Sequence, residues 1–144
     1  MANVIPDSFK TDLLKGTFSF AASGGSTFKL ALYTDISGLT TSTTAFTTTN
    51  EVSASGTNYT SGGNALTNSG VSVSSNIAFV DFADLTFSSV TLSAVGALIY
   101  KSGGSNEAVL VLDFGGTKTA TNGDFVVQFP TASSSAAIIR LGNA

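Results

Sequence analysis

Histidine and cysteine are both absent from the 144 residues. The usual near-neutral proton shuttle, the strongest side-chain nucleophile and the commonest zinc ligands are therefore missing, and the residues imply no cofactor and no metal. Disulfide staples are excluded as well, so stability must come from the apolar core, and the redox compartment is left open. Charge is scarce: Asp, Glu, Lys and Arg together make up 10% of the chain, against about a quarter in an average soluble domain. Nine acids and six bases give a formal net charge of −3 without a basic cluster, which argues against a phosphate-tracking surface and against nucleic acid as a partner. No stretch approaches the ~20 apolar residues of a membrane span. The opening MANVIPDSFK has no apolar run of signal-peptide length, so the expectation is a chain made in the cytoplasm, not exported, and without a membrane partner.

Serine and threonine fill the place of the missing charges. A surface solvated by hydroxyls gains little from like-charge repulsion, which suits a subunit buried in an assembly, although a Ser/Thr-rich sandwich can be soluble enough alone. The length fits one domain. We divide it into an N-terminal arm with a short helix, residues 1–16, and a single β-sandwich domain, residues 17–144.

In the arm, Ile5, Phe9 and Leu13 recur every four residues with Leu14 beside them, which predicts a helix over Ile5 to Gly16. Pro6 suits its first turn, Asp7 or Ser8 its cap, and Gly16 a left-handed stop. At about two turns it needs a surface to lie on, either its own sandwich or a neighbouring subunit reached by the Phe9/Leu13 edge.

From Thr17 the period becomes two. Strands are predicted at Thr17 to Ala21 and Thr27 to Thr34, with Phe28, Leu30 and Leu32 on one face. Asp35 to Ser75 is rich in Thr, Ser, Gly and Asn, with short edge strands expected around Tyr59 to Leu66 and Val71 to Ser75. Further strands follow at Ile77 to Phe82, Asp84 to Phe87, Val90 to Ala94, Asp124 to Phe129 and Ala136 to Leu141. Gly115-Gly116 and Asn122-Gly123 read as turns between them. Eight to ten short strands define the predicted class: all-β, an antiparallel β-sandwich or jelly-roll-like barrel with a short N-terminal helix. No repeat of fixed period occurs.

The organising stretch is Val95 to Phe114, a hairpin whose arms are apolar on both faces. Such strands must be covered twice. Either the hairpin is buried by its own chain, or part of the Val109/Val111 face awaits a second subunit; Ile5, Phe9, Leu13, Val109 and Val111 are thus candidate assembly contacts.

Candidate chemistry is thin. Asp81, Asp84 and Asp113 interrupt apolar strands and are the acids to consider for Ca²⁺ or for a hydrolytic pair, though strand-ending and turn-capping roles are commoner. Composition leaves a Ser/Lys dyad open, but no G-x-S-x-G elbow occurs and the serines sit mostly in turn-like contexts. Asp113-Phe114-Gly115 spells a kinase metal motif with no accompanying nucleotide loop. Asn58-Tyr59-Thr60 is a sequon without a secretory context. Tyr33, Tyr59 and Tyr100 would suit glycan stacking only if they shared an exposed face.

The segments SFKTDLLKGTFSF, TFKLALYTDISGL, TTAFTTTNEVSASGTNYTSGGNAL, AFVDFADLTFSSVTLSAVGALIYK and AVLVLDFGGTKTATNGDFVVQFP, which together span nearly the whole chain, resemble a small virion structural protein of tailed bacteriophages and prophages. The resemblance implies a non-enzymatic, β-rich virion component made in the host bacterial cytoplasm. A head decoration or cement protein on the major capsid protein, acting as a homo-oligomer, is the placement it favours; a tail or head-fibre component with a receptor- or glycan-binding role is the alternative.

Overall fold

The computed structural model describes residues 3–143. It is an all-β, sandwich-like fold of two antiparallel sheets with one short helix. The helix, α1 (Asp7–Leu14), is shorter than the pattern predicts, because Pro6 occupies its N-cap in extended geometry and Ser8 turns its hydroxyl to the Thr43 carbonyl instead of capping. Its end follows the expectation. Gly16 donates to Leu13 and Thr17 to Asp12, the paired bonds of a Schellman stop, with Gly16 at φ +81°.

The larger sheet has the order β2-β1-β5-β6, from β1 (Phe28–Tyr33), β2 (Asn64–Ala65), β5 (Leu85–Lys101) and β6 (Ala108–Val127). The smaller has the order β3-β4-β7, from β3 (Asn68–Ser74), β4 (Ile77–Phe82) and β7 (Ile139–Leu141). Among the described residues, seven strands stand where eight to ten were expected. Thr17 to Ala21 joins no ladder, although Phe18 and Phe20 are buried and Ser19 exchanges bonds with Ser26. The three segments from Asp84 to the first hairpin arm are one strand, β5, and the second arm continues to Val127 as β6.

That fusion has a local cause. Four residues, Phe114 to Thr117, bulge opposite Val95, with Gly115 and Gly116 at φ +74° and +150°; a second irregularity holds Asn122 at φ +44°. The left-handed conformations that make a tight turn also make a bulge, which bends a strand without ending it. The ribbon consequently curls. Phe114 and Phe125, eleven residues apart along β6, have ring centroids 5.9 Å apart, where a straight strand would separate them by ~36 Å.

Between the sheets lies the main core. Phe28 of β1 meets Phe82 of β4 at 5.7 Å, and Phe9 of α1 packs on Phe18 at 4.9 Å, so the helix belongs to the same apolar cluster as both sheets. A second cluster covers the opposite face of the large sheet: Ala31, Tyr33, Leu98, Tyr100 and Val111 pack against Ile36, Leu39, Phe46 and Val4. The Ser/Thr-rich segment thus supplies the second cover through a few apolar anchors. Phe46 stacks on Tyr100 at 4.6 Å, and the Phe46 amide donates to the Asn106 carbonyl and the Ala108 amide to the Thr44 carbonyl.

Candidate functional site

The densest polar constellation centres on Glu51, which sequence reasoning did not single out because a lone Glu in a Thr/Ser-rich stretch carries no spacing signal. Glu51 forms an isolated bridge with Tyr33 beside β1. Its Oε1 accepts from the Tyr59 hydroxyl at 2.8 Å and the Gly62 amide at 2.6 Å, and its Oε2 accepts from Ser61 at 2.8 Å. The three tyrosines gather around it. Tyr59 also receives the Leu32 amide at 3.0 Å, Tyr33 donates to the Thr47 carbonyl at 2.6 Å, and Tyr100 donates to the Gly62 carbonyl at 2.7 Å. Burial, reinforced by the Glu51 carboxylate, holds all three phenols above their ordinary range. They are protonated donors with buried rings, and they offer no face for stacking a sugar. The constellation ties the segment after β1 to the open side of that strand.

The three candidate acids do not form one cluster, although the Asp84 charge reaches Asp81 and adds to the raising of its carboxyl by burial. Asp81 is buried, its Oδ1 accepting the Phe82 amide while Oδ2 has no hydrogen-bond partner. Burial pushes its carboxyl above the ordinary range, with the Phe82 and Ile138 amides pulling the other way. Asp84 accepts the Phe129 amide, and Asp113 the Gly115 amide, which holds its carboxyl below the usual range. The Asp-Phe-Gly triplet is thereby a clasp for the β6 bulge. Among the described residues no group of three acidic side chains is arranged to hold a metal.

Ser26 and Lys29 have Ser-x-x-Lys spacing, but the Ser26 hydroxyl accepts the Ser19 amide and Lys29 lies in β1 between Tyr100 and Ala65. Residues three apart meet on a helix, not on the chain leading into a strand. Asn58, of the sequon, donates its side-chain amide to Ser88 and Ser89.

A cleft of about 620 Å³ lies in the concavity of the curled β6. Phe114, Phe125, Phe129 and Ile138 contribute its apolar lining, with Asp113, Lys118 and Asp124 as its charged groups. An apolar hollow with a few polar groups is the usual form of a ligand site. Phe114 and Phe125 became neighbours only through the bulge, so no sequence spacing announced it.

The candidate assembly contacts fall in different environments. Phe9, Val109 and Val111 are buried within the chain, Leu13 is half-buried on the core, and Ile5 is 37% exposed. Of the two covers considered for the hairpin, this chain supplies both itself: Val109 faces the main cluster and Val111 the second, where Val4 pairs with it. The large exposed apolar side chains include Leu14, Val71, Val73 and Leu141, of which Val71 and Leu141 line a hollow of about 140 Å³ together with Leu13, Phe20 and Phe79 among others. Among the described residues no helix is long and apolar enough to cross a membrane.

Fold and surface define an all-β, sandwich-like protein with a doubly covered central hairpin. No family model, no curated protein and no solved structure matches the chain.

Proposed function

We propose that this protein is a non-enzymatic virion structural protein of a tailed bacteriophage, a capsid decoration or cement subunit that binds the major capsid protein as a homo-oligomer. The observation that carries the reading is the closure of the hairpin on both faces by the chain's own segments. It makes a rigid block with little charge, whose carboxylates mostly clasp backbone amides and whose two most exposed valines, Val71 and Val73, lie on the small sheet. Such a block acts through many weak contacts, and symmetry multiplies a small gain per copy over a shell. Purified protein added to emptied or expanded heads is expected to bind with a saturating, symmetry-related stoichiometry. Cryo-EM density for it only at the tail overturns the head placement.

The β6 cleft favours a second reading, a tail or head-fibre component that binds a receptor glycan between Phe114, Phe129 and the acids beside them. Copy number separates the two: hundreds per virion for decoration, tens for a fibre, read by gel densitometry against the major capsid protein.

A further inference from the structure

A sheet edge is an open row of N–H and C=O groups, and proteins blunt such edges by shortness, charge, bulges or a covering segment. Three of the four edges here are blunted. β2 is two residues long; β7 is three residues long and carries Arg140; β6 is bulged, bears Lys118 and Asp124, and is bridged at Val111 by Val4. The fourth, β3, is different. Its bulge lies before Val71, and from there to Ser74 it runs in regular register with β4, with no charge and no proline. Val71 and Val73 are 59% and 72% exposed, and their ladder partners Val80 and Ala78 place them on the core-facing side of the small sheet, beyond the cover of the large one. Leu141, paired with Ala78 and 56% exposed, extends the strip.

We infer that β3 is the contact between two copies of this chain, pairing antiparallel with its own counterpart across a two-fold axis so that the three-stranded sheets join into one of six. The occupant follows from self-complementarity. An antiparallel partner centred on Ser72 sets Val71 against the other copy's Val73 on one face and serine against serine on the other, so apolar meets apolar and hydroxyl meets hydroxyl. A two-fold contact also sets like charge against like, and this strip has none to repel. The pairing needs no capsid, so its failure and that of the virion reading are separately visible.

The test uses the full chain in solution. Sedimentation equilibrium is expected to give a species of about twice the 14.5 kDa chain mass that dissociates on dilution. Val73→Lys, at an exposed position, is expected to leave the circular dichroism unchanged, to melt as the wild type does at concentrations where the wild type is dissociated, and to shift the species to monomer. Because the chain has no cysteine, Ser72→Cys is expected to cross-link on oxidation, whereas Thr119→Cys on the β6 edge is not. A monomer at all concentrations, a dimer that survives Val73→Lys, or equal cross-linking of the two cysteine variants overturns the proposal.

Discussion

Tyr59 does for Leu32 what a neighbouring strand would otherwise do. Its hydroxyl accepts the Leu32 amide at 3.0 Å and donates its own hydrogen bond to Glu51 Oε1 at 2.8 Å, while the Leu32 carbonyl takes the Val52 amide at 2.9 Å. The backbone groups of Leu32 on that side are satisfied without a continuous partner, which lets β2 be only two residues long. Tyr59→Phe would strand a buried amide and remove one donor from Glu51. The expected loss is about 1–3 kcal/mol, read as a lower urea midpoint with an unchanged slope.

Val111 is fully buried and paired with Val4. Val111→Lys would put an unpaired ammonium into the second cluster, and the expected outcome is a chain that fails to fold, not a folded monomer. Ile5→Lys, at a position 37% exposed, is expected to fold normally. Circular dichroism and thermal melting of the two variants make the comparison; a cooperative wild-type-like melt for Val111→Lys contradicts it.

Gly63 sits at φ +74° against β1, where a Cβ would overlap the Leu30 carbonyl and crowd Ala31. Gly103, in the hairpin loop at φ +95°, has open space around it. Gly63→Ala is therefore expected to cost several-fold more stability than Gly103→Ala, for which about 1 kcal/mol of backbone strain is the whole penalty. Equal denaturant midpoints for the two would refute the close approach.

Asp81 should make stability fall as pH rises. Its carboxyl is raised in the fold, so the folded chain holds that proton to higher pH than the unfolded chain; its contribution is fullest below the ordinary carboxylate range and declines from there through the folded value. Asp35 and Asp113 are lowered and act in the opposite sense, contributing above the ordinary range and losing that contribution as pH falls through their depressed values. Asp81→Asn isolates the first effect. Urea midpoints across about pH 3 to 8 are expected to show the variant gaining on wild type as pH rises; parallel curves would remove Asp81 as the source.

Much of the architecture was legible in the residues. Phe28, Leu30 and Leu32 announced a strand with a core face, and Gly16 closed the helix as its conformation requires. The turn signals were legible as left-handed positions but not as bulges, because Gly115-Gly116 and Asn122-Gly123 satisfy either geometry and only the partner strand decides between them. Little of the Glu51 cluster or the β6 cleft was readable. Tyr33, Tyr59, Tyr100 and Glu51 meet through contacts that no local period encodes.

The sequence by itself determined that stability must come from an apolar core without disulfides, that the strands are β-periodic after Thr17, and that the Val95 to Phe114 hairpin needs cover on both faces. These are consequences of composition and of side-chain alternation, which act at short range. Only the tertiary structure decided what provides the cover. Val80, Phe82 and Phe9 close one face and Ile36, Leu39, Phe46 and Val4 the other, and this choice leaves Val71 and Val73 of β3 outside both cores. Which segments meet depends on the curl of β6 and on loop closures far apart in the chain, and those energies belong to the assembled fold.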